Sequence, residues 1–392
     1  MDDLLALYQE VVQALDAREL TRAAAAKVPA PARGGRLVVF GLGKVAAEMA
    51  EGARGSAAEA ILVIPPDAPA PPGARILRGS HPVPDASSLE AGEALLAAAR
   101  ASADRDSALL LISGGGSALA EAPHPDLSLD DVRAVNQALL RSGAPIEEMN
   151  CVRAHLSRLK GGGLARALHA AGVRRGRALV AVDVPVGGAR AVSSGPGIAD
   201  PTTCDDALAL ARRYALPDAA TRVRETLKPG DPADFIEHEA ICDLRSPARE
   251  AARRGGARML ESPVRGTVES FAEALGRERG FVCASGELEV RVPPGAPPGG
   301  RDQHLALLMA RALRGDPRAA FLAAGTDGRD GPTSSAGARV DGATWDEAER
   351  RGLEPAKALG AFDAARVLSA LGLLIPARHT GAHAGDLFLL RR

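Results

Sequence analysis

Aromatic residues are scarce: Phe, Tyr and Trp together make up 3% of the 392 residues. That excludes a base-stacking platform of the kind that holds single-stranded nucleic acid. An excess of one charge is also lacking. Lys and Arg number 48 against 49 Asp and Glu, a formal net charge of −1. A general nucleic-acid binder would carry a basic surplus or stripe, whereas these arginines are scattered among acids as on solvated helix faces. Cysteine is sparse. Cys151, Cys204, Cys242 and Cys283 are far apart, form no CxxC pair and have no histidine at zinc-finger spacing, so they read as buried thiols in a reducing compartment. His379 and His383 are four apart, but neither a helix nor a third ligand is evident beside them. The start, Met1-Asp2-Asp3, lacks the basic region of a secretory signal, and no apolar run approaches membrane-spanning length. The expectation is a cytoplasmic protein with neither nucleic acid nor membrane as partner. No GxxxxGK(S/T) sequence occurs, which excludes a P-loop fold but not phosphate binding.

What is present is ordinary globular material: 46% hydrophobic and 25% charged residues. The length exceeds one comfortable core, so two domains are expected. Leu4, Leu5, Tyr8, Val11, Val12 and Leu15 recur at helical spacing. After them, short apolar runs alternate with helical stretches: Arg36–Phe40, Ile61–Ile64, Ala108–Ile112 and Ala178–Val182. This pattern predicts an α/β fold with a doubly wound, Rossmann-like parallel sheet covered on both faces. Ligands in such sheets bind beyond the carboxyl ends of the strands, where the glycine-rich segments fall. A breaker cluster at Pro229-Gly230-Asp231-Pro232 suggests a boundary, dividing the chain into 1–235 and a smaller α/β domain, 236–392. In the second part Phe281–Ala284, Ala319–Ala324 and Asp386–Leu390 read as strands.

Four segments carry chemistry. Gly41-Leu42-Gly43 closes the first strand, and Lys44 adds a point charge where the backbone N–H groups of a helix start can hold an anion. The same segment partly matches a dinucleotide fingerprint, but the acid expected after the second strand comes only at Asp67, behind two prolines. Ser113-Gly114-Gly115-Gly116-Ser117 follows a buried strand, and its three glycines permit close backbone approach to a ligand and an anion-binding nest; a tight strand-to-helix turn is the plainer reading. Pro145 opens a helix on which Asn150, Arg153, Ser157 and Lys160 form one stripe running into Gly161-Gly162-Gly163, a donor and cation set suited to an anionic ligand. Asp327 and Asp330, in the loop Gly325–Thr333, suit Mg²⁺ with its waters and suit a plain surface turn equally well.

These segments, in this order, resemble the glycerate 2-kinase family, whose C-terminal part is called the MOFRL domain. The matching pieces are GLGKVAAEMA at Gly41, GSHPVPD at Gly79, LLLISGGGSAL at Leu109 and MNCVRAHLSRLKGGGLA at Met149. DVP at Asp183, SSGPGIADPTT at Ser193, SGE at Ser285, GGRDQHLAL at Gly299, GTDGRDGPT at Gly325 and AGA at Ala336 follow. The resemblance spans nearly the whole chain. It implies a two-domain kinase with its site in an interdomain cleft, using ATP and Mg²⁺ to convert D-glycerate to 2-phosphoglycerate. It implies Lys44 and Arg301 as catalytic cations and Ser113, Gly114, Gly115, Gly116 and Ser117 as a phosphate cradle. Asn150, Arg153 and Lys160 become ligand contacts, and Asp183, Asp327 and Asp330 metal ligands.

The chain departs from the family pattern at several motif positions. DVPGDD is here DVPVGG, with Gly187 and Gly188 in place of two acids. GGRNQE is GGRDQH, with Asp302 and His304. Ala154 stands for a lysine, Ser334 for an aspartate, and Ala382-His383 ends the TGTN motif. Two further readings follow: an NAD(P)-dependent hydroxypyruvate reductase, and a catalytically weakened relative that binds a metabolite.

Overall fold

The computed structural model describes residues 1–54 and 59–392. They divide into two compact units, Ala17–Ile241 and a second made of Cys242–Arg392 together with Met1–Asp16. The first helix, Asp2–Ala14, therefore belongs with the C-terminal part of the chain, which a cut at 235/236 separates from it. Its apolar stripe explains why. Leu4, Leu7, Tyr8, Val11 and Val12 are all buried, and the Tyr8 hydroxyl donates to the Gly325 carbonyl at 2.7 Å.

The unit Ala17–Ile241 is built on six strands: β1 (Leu37–Leu42), β2 (Glu59–Ile64), β3 (Arg75–Arg78), β4 (Ser107–Ile112), β5 (Gly176–Ala181) and β6 (Ile236–Cys242, whose last residue passes the division). Their order is β3-β2-β1-β4-β5-β6, and β1 pairs in parallel with both β2 and β4. This is the doubly wound arrangement the alternating pattern predicts, and its direction reverses between β1 and β4. Every residue of β1 and β4 is buried, as strands covered on both faces must be. The outer strand β6 escaped notice because its residues between Ile236 and Cys242 are largely exposed.

The second unit holds β7 (Arg258–Met259), β8 (Phe281–Gly286), β9 (Ala320–Gly325), β10 (Ser335–Asp341), β11 (Leu374–Pro376) and β12 (Asp386–Arg391). The order is β11-β10-β9-β12-β8-β7. Here β12 lies antiparallel to both neighbours, and β10 antiparallel to β9. The sheet is thus mixed and as many-stranded as the first. The helix Arg301–Ala312 buries nine residues, Asp302 to Ala310, of which Leu305 to Ala310 join this unit's hydrophobic core.

Candidate active site

The glycine turns after β1 and β4 lie side by side at the point where the strand order reverses. The Ser113 N–H donates to Leu42 O at 2.9 Å, and Lys44 N–H donates to Gly114 O at 3.0 Å. Ser113 Oγ accepts from Val45 N–H at 3.1 Å. Gly43 (φ 128°) admits no side chain, since a Cβ would stand 2.3 Å from Ser113 Oγ. At Gly114 a Cβ would fall 1.6 Å from an Asp183 carboxylate oxygen, so that carboxylate lies directly against the turn. Gly115 is left-handed (φ 86°), and its face is lined by the Lys44 stem and His81. Lys44 itself is exposed, and among the described residues no ion pair or side-chain hydrogen bond engages its ammonium. An exposed, unengaged cation over a glycine turn at a topological switch point is suited to an anionic ligand.

A layer of side chains holds this turn from below. Ser193 and Ser194 both adopt positive φ, 52° and 56°, a strained region for residues with a Cβ. Ser193 Oγ donates to Ser113 O at 2.6 Å. Ser194 Oγ lies 2.9 Å from Ser117 Oγ and donates to Asn150 Oδ1 at 3.0 Å. Asn150 Nδ2 in turn donates to Ala191 O at 3.1 Å. Asn150 is thereby brought to the turn. The stripe does not continue as drawn, because the helix runs only from Ile146 to His155. Arg153 is held by Asn136 Oδ1 at 2.7 Å, and burial lowers the pKa of its guanidinium. Lys160 is 2% exposed, and its ammonium is paired with the equally enclosed Glu121. A ligand contact by Lys160 would require that pair to open. Glu121 also accepts from Ser157 Oγ at 2.7 Å. Ser193, Ser194 and Glu121 were assigned no site role in the sequence reading, although Ser193 and Ser194 open one of its matching motifs. Their only signals were an acid alone in the apolar run after SGGGS and a Ser-Ser pair before Gly-Pro-Gly.

In the second unit, Arg301 opens the helix Arg301–Ala312. It donates from Nε and Nη2 to the two Asp386 oxygens at 2.6 and 3.2 Å, and from Nη1 to Glu287 at 2.8 Å. Burial works against its charge, but Asp386 and Glu287 outweigh it and raise the guanidinium pKa. Burial pushes Asp386 up to about 6, although Arg301 opposes the shift. Asp330 caps the same helix, its two oxygens accepting from Asp302 N–H at 3.2 Å and Gln303 N–H at 2.8 Å. Burial still carries it to about 7. Asp302 is fully enclosed and raised well above the carboxylate range by burial and by Asp386 and Asp330.

The donor sets bear unequally on Mg²⁺. Asp183 and Asp327 are half-buried; among the described residues Asp327 spends only Oδ1 on an N–H, that of Arg329 at 2.9 Å. Both oxygens of Asp330 are committed to the helix cap, so coordination there would cost two hydrogen bonds. Within the turn Ser113–Ser117, Gly114 and Gly116 are required by close neighbours, Asp183 and Ser193.

Two family models match the chain: the Domain of unknown function (DUF4147) over residues 3–228 and the MOFRL family over residues 280–386. A D-glycerate 2-kinase of Thermotoga maritima is 33% identical over 336 residues, covering 80% of this chain and 79% of that protein. A protein of Agrobacterium vitis, provisionally named a hydroxypyruvate reductase, is 36% identical over 381 residues, covering 90% of this chain and 86% of its own. The crystal structure of glycerate kinase from Thermotoga maritima superposes with a TM-score of 0.88 at 28% identity and covers 100% of both chains. No helix among the described residues is long and apolar enough to cross a membrane. With its first domain and its MOFRL domain both matched, and kinase relatives aligned along most of its length, this chain belongs to the glycerate kinase family.

Proposed function

We propose that this chain transfers the γ-phosphoryl group of ATP to the 2-hydroxyl of D-glycerate, giving 2-phosphoglycerate and ADP. The observation that carries the reading is the exposed, unengaged Lys44 ammonium over the Ser113–Ser117 turn at the switch point of the first sheet. The names of the kinase relatives support it. When bound, ATP with Mg²⁺ supplies the phosphoryl donor and the counter-charge for its oxygens. The turn's backbone receives phosphate oxygens, and Lys44 neutralises charge that spreads over the transferring group. Arg301, held in place by Asp386 and Glu287, serves as the second catalytic cation through its remaining N–H groups. Asn150 and Arg153 orient the hydroxy-acid, and Asp183 and Asp327 are the carboxylates assigned to the metal. Lys160 supports the site through Glu121, and Asp330 through the helix cap.

The test is ADP release with a panel of small hydroxy-acids, with and without Mg²⁺. Turnover with D-glycerate that depends on Mg²⁺ is the expected result; none with any acid would refute the proposal. The name of the Agrobacterium vitis relative favours a second reading, reduction of hydroxypyruvate by NAD(P)H. Against it, β2 ends at Ile64 before two prolines, and the next acid, Asp67, is exposed in the following turn. A ribose-binding acid belongs at the carboxyl end of that strand. Oxidation of NADH on mixing with hydroxypyruvate would favour this second reading. Nucleotide-dependent stabilisation without turnover would mark a weakened relative, consistent with Gly187, Gly188, His304 and Ser334 at the departing motif positions.

A further inference from the structure

Among the described residues, one group of metal-ligating side chains is not used by the phosphoryl-transfer reading. His155, Cys204 and Glu225 each offer a ligand atom, and these atoms lie within 4.8 Å of one another. They come from three segments: the last residue of the helix Ile146–His155, the first of the helix Cys204–Arg213, and the extended stretch before Gly230. The His155 ring is fully buried, and its Nδ1 lies 2.8 Å from the Cys151 carbonyl oxygen. A carbonyl can only accept, so Nδ1 carries the hydrogen. In the neutral ring, Nε2 then presents a lone pair, and it faces Glu225 Oε1 at 3.3 Å. Two acceptors at that separation favour a cation or a proton between them, beyond the Lys228 ammonium that lies 2.5 Å from the same Oε1.

We propose that His155 Nε2, the Cys204 thiolate and the Glu225 carboxylate form a zinc site, separate in function from the Mg²⁺ of the kinase reaction. Zinc bonds of about 2.1 Å at tetrahedral angles put nitrogen and oxygen ligands about 3.4 Å apart, close to the 3.3 Å found. A borderline-soft N, S and O donor set selects zinc over the hard cations Mg²⁺ and Ca²⁺. The Nδ1–H bond to a backbone carbonyl is the outer contact that zinc-binding histidines ordinarily make. Asp200 Oδ2, buried and without a hydrogen-bond partner, lies 4.0 Å from the same Nδ1 and adds negative charge there. Glu225 is exposed and Cys204 half-buried, which gives the ion an entry and leaves a fourth position to water. Lys228 now balances Glu225 at 2.5 Å. It also donates to Thr202 O and Thr226 Oγ1, so it keeps partners when zinc takes the carboxylate. Binding expels the thiol proton to solvent and ties three segments of one unit together.

The competing occupant of the Nε2–Oε1 gap is a proton, which would make a simple imidazolium–carboxylate pair. Chelator-stripped full-length protein is titrated with Zn²⁺ against a chromophoric chelator, alongside Cys204→Ser and Glu225→Gln. The expected result is about one zinc per chain, with affinity lowered at least about tenfold in each variant. Co²⁺ should give a thiolate charge-transfer absorption that Cys204→Ser abolishes. Cys204 is also the least buried of the four cysteines, so Zn²⁺ should protect it from a thiol reagent in the native wild-type protein. Melting curves in chelator establish that both variants fold. No zinc uptake by the wild type, or uptake unchanged in both folded variants, would overturn the site and leave the proton as the occupant.

Discussion

Asp302→Asn should stabilise the second unit at neutral and alkaline pH and do so progressively less as the pH falls. Asp302 is 1% exposed, and its Oδ2 has no hydrogen-bond partner. Around it stand Asp386, Asp330 and Asp327, with Arg301 as the opposing charge. A buried carboxyl whose folded-state pKa is raised contributes stability that is complete below its unfolded value, about 3.9, and lost as pH rises through the folded value. Burial, together with Asp386 and Asp330, raises Asp302 well above the carboxylate range, so the loss begins above the unfolded value and continues as the pH rises. Each pH unit over which the folded carboxyl keeps a proton that the unfolded chain has released costs about 1.4 kcal/mol. Asparagine removes one titrating member of the trio while nearly preserving shape, and that part of the slope should disappear. For a unit of this size the gain is about 2–4 °C in melting temperature per kcal/mol. The assay is built in: the protein's single tryptophan is Trp345, 3% exposed, in the second unit. Its fluorescence follows that unit's unfolding. A melting difference between Asp302→Asn and wild type that is the same at pH 5 and pH 8 would refute the reasoning, as would a variant less stable at pH 8.

Lys44→Ala should lower turnover by about 100- to 1000-fold and shift stability by no more than about 0.5 kcal/mol, read by ADP release and a melting curve. Lys160→Met should destabilise the first unit by about 3–5 kcal/mol, because Glu121 would be left buried and unpaired; chemical denaturation measures it, and Glu121→Gln added to it should recover part of the loss. Ser194→Gly should leave stability within about 1 kcal/mol, since relief of the left-handed φ offsets two lost hydrogen bonds, while activity falls as the Ser113–Ser117 turn loosens. Asp327→Asn and Asp183→Asn should each raise the Mg²⁺ concentration giving half-maximal activity; an unchanged metal dependence in both would return these residues to plain turn roles.

The inner strands of the first sheet, β1, β2, β4 and β5, were legible because they bury both faces. Val38, Val39 and Phe40, like Leu109, Leu110 and Leu111, form continuous apolar runs, and such runs ending at glycines mark the carboxyl ends where a ligand binds. β10 was not legible. Its sequence SAGARVD has a single β-branched residue, and it earns its place only by pairing with β9 and β11. The N-terminal helix was legible as a helix but not as part of the second unit. Its partner contact, Tyr8 to Gly325, spans 317 positions, and periodicity carries no information about partners that far away.

Charge roles were the least legible feature, for a related physical reason. Residue type says that Lys44, Lys160 and Arg301 are cations, but availability to a ligand depends on what each has already met. Among the described residues Lys44 is exposed and unengaged, Lys160 is sealed against Glu121, and Arg301 is held by two carboxylates with N–H groups to spare. The same distinction separates the acids. Asp327 keeps an oxygen uncommitted, whereas Asp330 spends both on the start of the helix that presents Arg301. On the proposed function, a residue in that position would act on the chemistry by fixing another group's place. Replacing Asp330 should therefore disturb catalysis through Arg301 even where the metal requirement stays the same.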